Sequence, residues 1–286
     1  MSRIIYVNGA YCAYHEAYIH VEDRGFQFAD GVYEVCEVRN GHLIDETRHM
    51  QRLMRSLKEL EFKPPMSLKS LGIIMRETVR RNRVRDGLVY LQITRGVARR
   101  DFIFPPEDNP CSVVCFSRIS SFSKADALAK KGISVVTVPD IRWKRPDIKS
   151  VSLLPNALAK QHAKQSGAYE AWMMDEEGNI TEGSSSNAYI VNAKGDVITR
   201  PAEVGILRGI TRSVVFDLAN REGIQIIERP FSLDEAEKAR EAFLTSATSV
   251  ILPVVRINDR TIGDGKPGPL AKKLRALFHT QAEIAG

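Results

Sequence analysis

The sequence predicts a mixed α/β fold (α+β class) in two domains, and three observations predict it. The chain has 286 residues, more than one domain of about 100–200 residues holds. Strand-like alternation and helix-like periodicity succeed one another along its length. They lack the regular alternation of a Rossmann domain, and no GxGxxG or Walker-type loop is present. A polar stretch at 118–131 separates the halves, placing a smaller N-terminal α/β domain at 1–122 and a larger C-terminal one at 123–286.

The elements follow from local pattern. Met1-Ser2-Arg3-Ile4-Ile5-Tyr6-Val7 is β-patterned and reaches an Asn8-Gly9 turn too early to hold a signal-peptide core. Residues 31–38 alternate as a strand, with Tyr33, Val35 and Glu37 on one face and Val32, Glu34, Cys36 and Val38 on the other. Two readings stand for Glu34: a charge that protects an edge strand, or a polar group aimed into a pocket. Asn40-Gly41 between apolar runs marks a hairpin. Met50, Leu53, Leu57 and Leu60 recur at helical spacing within 47–62, and a second helix is expected at 67–83. Strands at 88–95 and 111–117 flank the loop 96–106, which is long for a hairpin; its interleaved Phe and Arg argue against disorder. Past the polar stretch come a strand at 133–138, a Pro-bounded loop holding Lys149 and an Ala-rich helix at 152–166. Strands at 169–174, 187–192 and 196–199 follow, then an amphipathic helix at 210–222 and strands at 223–228 and 250–257.

Composition excludes several classes. With 43% hydrophobic and 27% charged residues the chain matches neither disordered nor fibrous proteins. No apolar run approaches a membrane span, so no membrane partner and a cytoplasmic location are expected. The net charge of +6 raises nucleic acid as a partner. The densest basic cluster, Arg80-Arg81-Asn82-Arg83-Val84-Arg85, ends a helix, where positive charge suits the dipole, so no nucleic-acid partner is expected. Of four cysteines, Cys111 and Cys115 share one face of a strand-like run, and none has a CxxC partner or histidines at zinc spacing. They read as reduced, small apolar residues, and no metal is expected.

Three features carry chemistry. Leu207-Arg208-Gly209-Ile210-Thr211-Arg212 opens a helix, where free N–H groups and the helix dipole make either a phosphate site or an ordinary N-cap. Thr181-Glu182-Gly183-Ser184-Ser185-Ser186-Asn187 sets a carboxylate beside three hydroxyls, a ligand cradle or a surface turn. Asp147-Ile148-Lys149-Ser150 supplies a lysine. An amine, a carboxylate and an anion cup in one chain fit pyridoxal phosphate, which needs a Schiff-base lysine, a group on its pyridine nitrogen and a phosphate site.

With Asp23-Arg24-Gly25-Phe26-Gln27-Phe28-Ala29-Asp30-Gly31-Val32-Tyr33-Glu34-Val35 ahead of them, these motifs occur in an order that resembles the class IV, fold-type IV pyridoxal-phosphate aminotransferases. Within that group the chain is most similar to the D-amino-acid transaminases, from the first hairpin to Leu252-Pro253-Val254-Val255. The resemblance implies two α/β domains with pyridoxal 5'-phosphate in the cleft between them, a homodimer, and small-molecule amino acids and 2-oxo acids as substrates. It implies transfer of the amino group of D-alanine to 2-oxoglutarate, giving pyruvate and D-glutamate. Relatives on the same scaffold act on branched-chain L-amino acids or (R)-amines, or cleave 4-amino-4-deoxychorismate.

The roles carry over residue by residue. Lys149 resembles the Schiff-base lysine and is expected in the C-terminal domain. Glu182 resembles the carboxylate on the pyridine nitrogen, and Leu207 the apolar residue against the ring. Arg52, Ser186, Gly209, Ile210, Thr211, Ser246 and Ala247 match cofactor-binding positions; Ala247 stands where relatives carry Thr, leaving only its backbone N–H. Tyr33 and Arg100 match two substrate-carboxylate positions, Phe102 stands at the third, and Tyr90 is expected to assist from the neighbouring strand. Phe102 replaces a His and cannot donate a hydrogen bond, which alters the carboxylate trap.

Overall fold

The computed structural model describes residues 3–203 and 205–285, and the chain divides into two compact units. The first unit is Met1–Ser121 with Ile148–Ser152 and Glu283–Gly286. It contains, in chain order, β1 (Ile4–Val7), β2 (Ala10–Ala13), α1 (Arg24–Phe28), β3 (Gly31–Arg39), β4 (His42–Ile44), α2 (Glu46–Glu59), α3 (Leu68–Arg81), β5 (Gly87–Thr94) and β6 (Ser112–Ile119). The second unit, Phe122–Asp147 and Leu153–Ala282, contains α4 (Phe122–Lys131), β7 (Ile133–Pro139), α5 (Leu154–Gln165), β8 (Glu170–Met174), β9 (Ile180–Gly183), β10 (Asn187–Val191), β11 (Val197–Thr199), α6 (Ile210–Arg221), β12 (Ile226–Glu228), α7 (Leu233–Glu237), β13 (Glu241–Ser246), β14 (Val250–Ile257), β15 (Arg260–Thr261) and α8 (Pro269–Gln281). The final strand, β16 (Ile284–Ala285), belongs to the first unit.

In the first unit a seven-stranded sheet runs β16-β4-β3-β5-β6-β1-β2. Asn40 and Gly41 take φ of 52° and 86°, the left-handed pair that a tight hairpin between β3 and β4 demands. Val32, Cys36 and Val38 of β3 and Val89, Leu91 and Ile93 of β5 are sealed from solvent against Met50, Leu53 and Leu57 of α2 and Leu71, Met75 and Val79 of α3. The apolar stripes read at 47–62 and 67–83 are therefore the inner faces of two helices on one side of this sheet. Glu34 is wholly buried, opposite Leu91 of β5, and the segment 149–151 pairs with residues 31–33 on the other side of β3, which removes the exposed-edge reading.

The second unit is built on nine strands in the order β12-β11-β10-β13-β14-β7-β8-β9, with β15 paired to β14. Ala188 and Ile190 of β10 enter one core with Trp172, Leu252 and Phe231, while Tyr189 and Val191 enter another with Val214 and Leu218 of α6 and Leu274 and Phe278 of α8. A strand covered on both faces reads as a continuous apolar run, which is why β10 shows no alternation in sequence.

Several sequence expectations are revised. The polar stretch at 118–131, within which the units divide between Ser121 and Phe122, is itself structured: β6 continues to Ile119, and Phe122–Lys131 forms a helix with Ala129 buried. Cys111 precedes β6 rather than sharing its face with Cys115, and it is half-buried. Lys149 lies in the first unit, not with the C-terminal residues. Its segment hydrogen-bonds to β3, Tyr33 N–H to the Lys149 carbonyl and Val151 N–H to the Gly31 carbonyl, each at 3.0 Å. The strand β13 and the helices α7 and α8 carried no signal strong enough to read. No described helix is long and apolar enough to cross a membrane.

Candidate active site

In the first unit the lysine segment continues the edge of β3: Val32 bridges Ser150, and the Lys149 N–H donates to the Ser56 hydroxyl of α2 at 3.2 Å. This fixes the backbone and carries Lys149 Nζ to 4.1 Å from the centre of the Tyr33 ring. Tyr33 stacks on Tyr90 at 5.5 Å, Tyr90 stacks on Phe116 at 4.8 Å, and the Tyr90 hydroxyl donates to Gln92 Oε1 at 2.7 Å. Burial, with Tyr33 beside it, pushes the Tyr90 phenol up, so it stays neutral.

Arg52 is reached through Glu34. The carboxylate accepts from Arg52 Nε at 2.8 Å and Nη2 at 2.7 Å, a bidentate pair, and lies 2.7 Å from His49 Nδ1. Glu34 is fully buried, as is nearly all of Arg52. Burial works to raise the Glu34 carboxyl, but Arg52 and His49 outweigh it and hold it at about 2 against the usual 4.5. The strand thus aims the guanidinium of α2. Sequence reasoning singled out Arg52 and the odd charge at Glu34 but did not join them, and His49 carried no signal.

Arg100 and Phe102 form a second cluster in this unit: the Arg100 Cζ is 5.2 Å from the Phe28 ring and the Phe102 ring packs edge-on to Phe28 at 5.6 Å. Phe102 is 81% exposed.

In the second unit Glu182 lies in β9 rather than in the serine turn that follows. One of its oxygens accepts from Arg142 Nη1 and from the Leu207 N–H, and the other accepts from Asn187 Nδ2 at 2.9 Å. Asn187 also donates to the Leu207 carbonyl at 2.9 Å, so one side chain ties the carboxylate to the chain entering α6. Arg142 is held in turn by Asp140, with Nε at 2.9 Å and Nη2 at 2.6 Å, and Asp140 accepts from the Thr181 hydroxyl at 2.8 Å. Burial raises the Glu182 carboxyl above its ordinary value, with Arg142 and the Leu207 amide pulling the other way. Nothing in the sequence marked Arg142, because its partner is forty residues on.

Gly209 is the N-cap of α6 with extended backbone and no side-chain cap, leaving the Ile210 and Thr211 amides without a capping acceptor. A Cβ at Gly209 would strike Asn187 Oδ1, so close approach explains this glycine. A second turn, 246–249, is closed by the Ser249 N–H on the Ser246 hydroxyl at 3.2 Å. It ends in Val250 at φ 60°, a left-handed conformation that is strained for a β-branched residue. The hydroxyls of Ser184, Ser185 and Ser186 all point to the buried Glu170 carboxylate, Ser185 at 2.9 Å and Ser186 at 3.4 Å. The three serines brace a turn, and their side chains form no open cradle.

Each unit by itself holds donor types that a phosphorylated pyridine aldehyde calls for: the first a lysine amine and a buried guanidinium, the second a buried carboxylate beside an uncapped helix N-terminus. The family profile described as amino-transferase class IV matches residues 31–257. The chain belongs to that family. It is 37% identical to the D-alanine aminotransferase of Staphylococcus aureus (strain N315) over 279 residues, covering 98% of each chain. To the D-alanine aminotransferase of Bacillus licheniformis it is 39% identical over 272 residues, covering 95% of this chain and 94% of the relative. Among solved structures, the T.th. branched-chain amino acid aminotransferase complexed with N-(5'-phosphopyridoxyl)-L-glutamate superposes with a TM-score of 0.88 at 27% identity, over 98% of this chain and 93% of that one. The branched-chain amino acid aminotransferase from Escherichia coli, 24% identical with a TM-score of 0.87 over 98% and 94%, shares the fold.

The Glu34 pair gives the folded protein an acid-sensitive component. Its carboxyl titrates lower folded than unfolded, so its stabilisation is present above about pH 4.5 and is lost as pH falls toward 2. In urea titrations Glu34→Gln should lower stability at pH 7 by on the order of 3 kcal/mol and flatten the decline between pH 5 and pH 2. An acid slope equal to that of the unsubstituted protein would contradict this assignment.

Proposed function

We propose that this aminotransferase transfers the amino group between D-amino acids and 2-oxo acids with pyridoxal 5'-phosphate as cofactor, in the cytoplasm, converting D-alanine and 2-oxoglutarate to pyruvate and D-glutamate. The observation that carries the reading is Lys149 Nζ poised over the Tyr33 ring in a chain aligned nearly end to end with D-alanine aminotransferases. When bound, the cofactor supplies the electron sink that makes the substrate Cα–H acidic.

The remaining work falls to the chain. Lys149 Nζ is the amine that would hold the cofactor's aldehyde carbon, and it would serve as the base that carries the substrate Cα proton. Tyr33, stacked on Tyr90, walls one side of this amine. Glu182 would face the pyridine nitrogen and favour its protonated form; a cation there would in turn oppose the upward push that burial gives the Glu182 carboxyl. Leu207 would supply the apolar contact to the ring. In the first unit Arg52, aimed by Glu34, would offer the phosphate a guanidinium; in the second, Ser246, the backbone N–H of Ala247 and the amides at Gly209, Ile210 and Thr211 would offer it hydrogen-bond donors. Ser186 serves through the turn it braces, since its hydroxyl is already committed to Glu170. Tyr33, Tyr90 and Arg100 take the substrate carboxylate, and Phe102 walls that position without donating to it. The missing donor at Phe102 favours one second reading, transamination of branched-chain L-amino acids on the same scaffold.

A second copy of the chain is the proposed partner. Tyr18, Val21, Phe26, Phe102 and Ile103 are each at least 69% exposed. Their two segments are joined by the Asp23–Val97 bridge and by the Ala98 N–H on the Glu22 carbonyl, and an apolar patch of this kind marks a protein interface.

Lys149→Ala should abolish turnover with D-alanine and 2-oxoglutarate, and normal turnover in that variant would sink the mechanism. Arg100→Ala should raise KM for 2-oxoglutarate by roughly tenfold or more with a smaller change in kcat, through loss of a charge-assisted clamp. The active enzyme should sediment at twice the chain mass, and full activity in a species monomeric at every concentration would refute the dimer.

A further inference from the structure

The loop 96–106 that carries Arg100 has no strand or helix of its own past the bridge at Val97, yet it is pinned. Where it starts, the Arg24 N–H donates to the Gly96 carbonyl at 2.9 Å. Beneath lie two buried guanidiniums that share one carboxylate: Arg24 Nε and Arg95 Nε each stand 2.8 Å from Asp30 Oδ2. Arg95 is anchored on the far side by the Leu60 carbonyl at 2.6 Å. Arg24 turns the other way. Its Nη1 donates to the Asp101 carbonyl at 2.6 Å and reaches the Ile103 carbonyl at 3.5 Å, the two backbone oxygens that bracket Phe102.

The aromatic side chains of the segment are held by the same cations. Phe104 has Arg95 Cζ 3.8 Å and Arg24 Cζ 5.7 Å from its ring centre. Phe28 takes Arg24 Cζ at 4.7 Å and, on the same ring, Arg100 Cζ at 5.2 Å and the Phe102 ring at 5.6 Å. One planar, always-charged group therefore sets the backbone at 101–103 and braces the ring on which Arg100 and Phe102 rest. A lysine, a point charge with no planar fork, could not reproduce both sets of contacts.

We propose that Arg24 is the positioning residue of the substrate-carboxylate clamp: it holds 101–103 as a fixed rim, so that Arg100 meets substrate already oriented. The inference rests on the reading of Arg100 as that clamp. Arg24 never needs to touch substrate, and its removal leaves Asp30 paired with Arg95, so the fold has a partner for that carboxylate. Preorganisation of this kind acts on binding: the loop's ordering cost is met on folding rather than on each encounter with substrate.

The test uses the cofactor-loaded enzyme with Arg24→Gln, Arg24→Lys, Phe104→Leu and Arg100→Ala. Two readouts are taken: KM and kcat for 2-oxoglutarate, and the rate at which trypsin cuts after Arg99 and Arg100. Arg24→Gln should raise KM about tenfold, most of what Arg100→Ala does, with kcat within about threefold, and should speed cleavage roughly tenfold. Arg24→Lys should recover only part of either. Phe104→Leu loosens the same rim without removing a buried charge, so it carries the test should Arg24→Gln fail to fold; its KM should rise several-fold with faster cleavage. If Arg100→Ala raises KM while Arg24→Gln and Phe104→Leu leave both readouts unchanged, the positioning role is overturned and the clamp stands. If Arg100→Ala leaves KM unchanged, the clamp reading falls, and the role of Arg24 falls with it. Parallel loss of kcat and cofactor binding in Arg24→Gln and Phe104→Leu would show a general structural role and also overturn the proposal.

Discussion

A carboxylate on an interior strand, wholly removed from water, governs where the first unit can present positive charge. Glu34 faces the same apolar core as Val32, Cys36 and Val38, and such a site tolerates a charge only if the charge is paired and hydrogen-bonded. Arg52 meets it with two parallel bonds and His49 with a third. Replacing the pair by well-packed apolar residues would be neutral or better for stability, so its retention points to what it specifies: a guanidinium locked in one plane. The β3 backbone that carries Glu34 also pairs with the lysine segment, so the amine and the guanidinium are set by one strand.

The second unit uses the same device with the signs of the fixed and presented groups exchanged. There the presented group is the carboxylate of Glu182, and the fixed cation is Arg142, itself clamped by Asp140. Asn187 and the Leu207 amide complete the set and bind the position of the carboxylate to the entry of α6. In both units a group that would meet a charged ligand is held by side chains that would not, as preorganised electrostatics requires. The left-handed Val250 closing the turn after Ser246 is the backbone counterpart, a strain that surrounding packing must hold.

Sequence alone made legible what is local or periodic. The hairpin at Asn40-Gly41, the apolar faces of α2 and α3 and the uncapped start of α6 each follow from a few adjacent residues. The resemblance supplied the assignment of Lys149, Glu182, Arg52 and Arg100, and with it the family. What stayed hidden is non-local. Arg142 meets Glu182 across forty residues, and Arg24 meets Asp101 across seventy-seven. The lysine segment joins β3 by backbone bonds that no composition reveals. The Ser184–Ser186 run stayed open between a ligand cradle and a turn because Glu170, which its hydroxyls serve, lies upstream in a strand with no charge pattern to announce it.

The central claim is that Lys149 and its partners transaminate D-amino acids. The most direct measurement follows the visible absorbance of the cofactor-loaded protein as D-alanine, and separately L-leucine, is added without a keto acid. The account predicts loss of the lysine-bound cofactor band with D-alanine and none with L-leucine. Loss with L-leucine alone would contradict it and place the enzyme with the branched-chain transaminases.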